Sequence, residues 1–81
     1  MKNESKKSRW MFVSELVMEI ISDREVNVEG CRGVIEYDES FIKLNAGKGT
    51  VTLFGGGLII ESYSDTELLI KGKLEKIEFC M

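Results

Sequence analysis

From Val26 to Phe79 the chain alternates apolar and polar residues in short runs, with Gly or Asp/Ser residues separating one run from the next. A period of two puts every second side chain on one face, which is the mark of a half-buried β-strand. Val26-Asn27-Val28-Glu29 is one such run, and Val34–Tyr37, ended by Asp38-Glu39-Ser40, is another. In Phe41–Asn45, Ile42 and Leu44 share a face opposite Lys43; in Thr50–Phe54, Val51 and Leu53 point away from Thr52 and Phe54. Leu58–Glu61 and Glu67–Lys71 follow. In the last run the apolar phase slips between Leu74 and Ile77, and a bulge near Glu75-Lys76 would absorb the slip. Between the runs, Gly30 and Gly33 flank Cys31-Arg32 as a turn or bulge. Ala46–Gly49 reads as a hairpin connection, Gly55-Gly56-Gly57 as a turn, and Ser62–Thr66 as a polar loop carrying Tyr63.

Trp10–Ile21 supports two readings. At a period of 3.6, Phe12, Val13, Leu16, Val17, Ile20 and Ile21 share one face of an amphipathic helix. At a period of two, Leu16, Met18 and Ile20 alternate with Val17, Glu19 and Ile21, giving a strand apolar on nearly both faces. Ser22–Glu25 then reads as a tight turn. Twelve residues are too few to cross a bilayer. The chain has no proline and no stretch long enough for a crossover helix, which excludes a parallel βαβ architecture. The expected fold is all-β: a small antiparallel meander of about eight short strands forming a sandwich or partly open barrel or roll. Residues 10–81 form the single domain, preceded by a flexible basic tail over residues 1–9.

Composition narrows the function classes. At 81 residues the chain is near the size where one core only just suffices, and it leaves sheet edges exposed. A homo-oligomer formed through those edges is expected. The net charge of −3 hides an asymmetry: residues 1–9 carry +3 and the remainder −6. The simplest reading of the tail is a solvated terminus; contact with anionic lipid or an acidic partner is the alternative. Without a basic face or interleaved aromatics on the folded part, no nucleic-acid partner is expected. Two cysteines and no cleavable leader point to a cytoplasmic chain with reduced thiols, a Cys31–Cys80 bridge being the alternative.

Catalytic chemistry is not legible. Histidine is absent, which removes Ser-His-Asp and Cys-His arrangements and the commonest zinc sites. Gly47-Lys48-Gly49-Thr50 lacks the glycine five residues before the lysine, and a strand rather than a helix follows it, so it is no phosphate loop. Glu36, Asp38, Glu39, Asp65 and Glu67 sit in turns or on solvent faces, and Cys31 beside Arg32 reads as a small turn residue. No enzyme activity, cofactor or metal is expected. Trp10, Met11 and Phe12, next to the basic tail, are the most suggestive cluster; they either cover an open end of the sheet or dock on a membrane or partner. With Phe54 and Tyr63 they form the candidate interaction surface. The alternative is a small-ligand or lipid site lined by Val51, Leu53, Leu58 and Ile60.

Taken in order, several runs resemble the YabP/YqfC family of small proteins from endospore-forming bacteria. They are Val28-Glu29, Arg32–Tyr37, Ile42–Asn45, Gly49–Leu53, Leu58–Ile60 and Glu67–Phe79. The likeness covers roughly residues 16–79, and the run from Arg32 to Asn45 looks closest to the YqfC-like branch. It favours a strand over residues 16–21. It implies a mother-cell sporulation protein acting in engulfment or in coat and cortex assembly, with no catalytic residues. It also implies protein partners, among them a membrane-bound sporulation protein, and a place in the cytoplasm at the forespore membrane.

Overall fold

The computed structural model describes residues 8–81, and every regular element in them is a strand. Seven strands form one antiparallel sheet: β1 (Ser8–Val13), β2 (Leu16–Ile21), β3 (Glu25–Glu29), β4 (Val34–Asp38), β5 (Phe41–Asn45), β6 (Thr50–Tyr63) and β7 (Glu67–Cys80). Their order is β1-β2-β3-β7-β6-β5-β4, and the sheet does not close. Within the tail expected over residues 1–9, Ser8 and Arg9 belong to β1; the rest lies outside the described residues.

The strand reading of residues 16–21 holds, and the helix reading is overturned. Trp10–Ile21 is a hairpin: β1 and β2 join through Ser14-Glu15, with Val13 opposite Leu16 and Ser14 at φ 56°. Period alone could not separate these outcomes. Buried apolar residues fall at both spacings here, and pairing across the Ser14-Glu15 turn decided the matter.

The two 14-residue strands β6 and β7 form a bent ribbon that organises everything else. β3 pairs with the first part of β7, Glu25–Lys71 through Glu29–Glu67, whereas β5 pairs with the first part of β6, Phe41–Phe54 through Asn45–Thr50. Each half of the ribbon thus carries one hairpin, β2–β3 on one arm and β4–β5 on the other. The turns of these hairpins seal the bend: Gly72 and Leu74 donate backbone N–H groups to Arg24 and Asp23 carbonyls, and Leu58 and Gly55 donate to Glu39 and Ser40.

Gly55-Gly56-Gly57 is therefore not a turn, which corrects the expected strand count. β6 runs straight through the triplet, and β7 runs through Gly72, so four expected strands become two. The glycines serve close approach instead. A Cβ on Gly72 would lie 2.6 Å from the Gly57 carbonyl oxygen, and Gly72 itself has φ 133°. Pairing jumps from Phe54–Lys76 to Gly55–Leu74, so Glu75 is the extra residue of a bulge, where the slipped apolar phase had put it.

Bending brings the inner faces of the two arms together. Leu16, Met18, Val28 and Leu68 from one arm and Ile42, Leu44, Val51 and Leu53 from the other join one cluster and are almost completely buried. A single flat layer could not bury side chains of both arms so completely, so the sheet is a folded, open roll. No polar or charged residue among those described is buried.

Candidate functional site

Trp10, Met11, Phe12, Phe54 and Tyr63, the five residues of the expected interaction surface, are separated by the roll. Trp10 and Phe12 lie on the outer face of β1, 55% and 72% exposed. Met11, one position out of phase, points inward and packs against the core. Phe54 is half-buried on the outer face of the other arm, its ring centroid 6.4 Å from that of Phe41 and with the Lys76 ammonium 4.8 Å above it. Tyr63 ends β6, exposed beside the loop that leads into β7. Only Trp10 and Phe12 are brought together.

Registers on the outer face of the β1–β2–β3–β7 arm show what surrounds that pair. One cross-strand row reads Phe12, Val17, Glu29, Glu67; the next reads Trp10, Glu19, Asn27, Leu69, Ser62. A shallow groove of about 290 Å³ runs over these rows, lined by Trp10, Val17, Glu19, Asn27, Glu29 and Glu67 among others. Its apolar wall is Trp10, Val17 and Leu69, and its charges are carboxylates. Glu29 stands directly opposite Glu67, a like-charged cross-strand pair of the kind that destabilises a sheet. Lys71, four positions along β7 from Glu67, is engaged elsewhere: it holds Glu61 at 2.8 Å. That hydrogen-bonded carboxylate, with Glu25 nearby, raises the Lys71 ammonium above its ordinary range.

Sequence reasoning missed Glu19, Asn27, Glu29 and Leu69. Alternation alone puts them on a polar face, but which strands lie side by side is needed to assemble them into one groove. The acidic groups that were weighed scatter. Asp38 caps its own turn, accepting hydrogen bonds from the Ser40 hydroxyl at 2.6 Å and the Ser40 backbone N–H at 3.1 Å. Both hold its carboxyl below the usual range. Gly47-Lys48-Gly49 is a hairpin turn fastened by Asn45, whose side-chain oxygen accepts the Gly47 N–H at 2.9 Å.

The residues named for a ligand site are committed elsewhere. Val51, Leu53 and Leu58 form part of the buried cluster and Ile60 packs against it, so they fill the core rather than line a cavity. Cys31 and Cys80 are both free thiols; the Cys31 thiol bonds the Gly33 carbonyl at 3.2 Å. Among the described residues no three His, Cys, Asp or Glu side chains are grouped to hold a metal ion. No helix in them is long and apolar enough to cross a membrane.

The sequence model of the YabP family matches residues 14–80. No curated protein and no solved structure matches the chain.

Proposed function

The chain belongs to the YabP family, and on that footing we propose that it is a non-enzymatic sporulation protein of the mother cell. In this reading it works by protein–protein contact near the forespore membrane, in engulfment or in coat and cortex assembly. Membership of the family is consistent with a role in sporulation. The run Arg32–Asn45 supports the YqfC-like branch and, with it, a membrane-bound partner.

The observation that carries the contact reading is the outer face of the β1 arm. It offers Trp10 and Phe12 to solvent beside a groove that is rich in carboxylates. Burial of two aromatic rings supplies affinity, and charge in the groove supplies orientation and partner choice. An acidic face is repelled by anionic lipid, so this arm turns towards a protein and away from the bilayer.

Imaging of a C-terminal fluorescent fusion in a sporulating host tests the reading. A rim around the forespore that becomes diffuse in the Trp10→Ala/Phe12→Ala double variant, with protein levels unchanged, is the expected result. Uniform cytoplasmic signal throughout sporulation would overturn it.

A further inference from the structure

Two strands end the sheet, and they are guarded very differently. β4 carries a register irregularity between Val34 and Glu36, presents Glu36 and Asp38, and reaches across the roll through Tyr37, whose hydroxyl accepts the Ile60 N–H at 3.0 Å. Bulges and charges are the devices that keep an edge from pairing. The distal half of β7 likewise bears Glu75, Lys76 and Glu78. β1 is guarded least: Ser-Arg-Trp-Met-Phe-Val contains a single charge, Arg9, with no proline and no bulge, and its far side pairs with nothing among the described residues.

Both faces beside that open edge carry apolar side chains. Outside stand Trp10 and Phe12. Inside, a cleft of about 450 Å³ lies between β1, the end of β2 and β7, with Met11, Ile20, Leu74 and Ile77 in it and the charged Arg9, Asp23, Glu75 and Lys76 also lining it. A strand added there must carry aromatic residues on one face and aliphatic residues on the other. β1 is itself such a strand.

We propose that β1 pairs antiparallel with β1 of a second copy, joining two rolls into one continuous sheet. The register that matches the faces sets Met11 opposite Met11 across a two-fold axis, with Trp10 of each copy opposite Phe12 of the other. Both Trp–Phe pairs then fall on the outer face, and the half-exposed Met11 of the incoming strand lies beside the cleft. Such an interface is self-complementary, as a two-fold dimer requires. At about 200 Å² for each aromatic side chain, the exposures of Trp10 and Phe12 leave roughly 250 Å² of ring surface per copy to be covered. Doubled, with backbone and cleft added, this stays near or below the low end of stable interfaces, so the dimer is weak and depends on concentration. The inference uses the same two rings as the contact reading but is read on the purified chain, so its failure is seen in sedimentation and that of the contact reading in the imaging of the fusion.

Trp10 is the chain's single tryptophan, so its fluorescence reports on this edge alone. Sedimentation velocity of the full chain from about 5 to about 500 µM should show a monomer–dimer equilibrium, with Trp10 emission shifting to the blue over the same range. Phe12→Lys, at an exposed position, should weaken the dimer at least about tenfold, leaving the far-UV circular dichroism unchanged. Trp10→Lys, read by sedimentation alone, should do the same. A monomer at every concentration overturns the proposal. So does a dimer whose Trp10 emission stays that of an exposed ring, or one indifferent to both substitutions.

Discussion

The three consecutive glycines at the bend of β6 give opposite answers to one substitution. At Gly55 a Cβ would press into the Lys73 carbonyl oxygen and lie 3.0 Å from that carbonyl carbon and 3.2 Å from the Leu74 Cα. All three atoms are backbone of the paired strand and cannot swing aside. Overpacking costs about 1–3 kcal/mol when side chains can yield, so Gly55→Ala belongs at about 3 kcal/mol or above. A domain of this size holds roughly 4–12 kcal/mol in total, and 3 kcal/mol lowers its melting temperature by roughly 12–24 °C. Gly56 has an ordinary backbone conformation and nothing within 4 Å of its would-be Cβ. There alanine removes unfolded-state freedom without strain and stabilises by about 0.4–1 kcal/mol. Gly57 is equally open but sits at φ 62°, where a Cβ costs about 1–2 kcal/mol. The expected ranking in thermal melts followed by far-UV circular dichroism is Gly56→Ala, wild type, Gly57→Ala, Gly55→Ala. If Gly55→Ala melts no lower than Gly56→Ala, β6 does not approach β7 closely at the bend, and the folding of the sheet about that point is wrong.

Other expectations follow from the same packing. Leu53→Ala should cost about 2–5 kcal/mol in urea unfolding, because Leu53 is fully enclosed between the arms, whereas Phe12→Ala in dilute solution should stay within about 0.5 kcal/mol. Glu67→Lys should stabilise by about 0.2–1 kcal/mol by relieving the Glu29–Glu67 juxtaposition, and should displace a partner from the groove; gain of stability with partner binding intact would detach the groove from function. The Asp38 carboxyl, held low by Ser40, should titrate by NMR below an ordinary aspartate and move back up in Ser40→Ala. Since its native pKa is depressed, its contribution to stability is present above the unfolded-state value and is lost as pH falls through the native one. A thiol reagent should modify exposed Cys80 faster than half-buried Cys31, and equal rates would mean that the Gly30–Gly33 connection is looser than described.

What the sequence determined by itself was whatever depends on neighbours along the chain. Alternation from Val26 to Phe79 specified strands, and it put Ile42 with Leu44 and Val51 with Leu53 on shared faces that the structure turns inward, because a strand with one wet face has only one stable assignment of faces. Even the Glu75 bulge was written locally, as a phase slip. Order and spacing of these runs also carried the family. Tertiary structure decided whatever depends on pairing between distant segments. Gly55-Gly56-Gly57 has the composition of a turn, but with β7 alongside it becomes a bulged bend. Trp10–Ile21 fits two periods, and the Val13–Leu16 pairing across Ser14-Glu15 resolved it into a hairpin. Met11 left the aromatic cluster because its parity turned it to the core. Glu19, Glu29 and Glu67, 48 positions apart in sequence from first to last, became one acidic groove beside Trp10 only through the β2–β3–β7 registers. Hydrogen bonds between strands couple residues without regard to their separation in sequence, so a surface built across strands appears only once the sheet has formed.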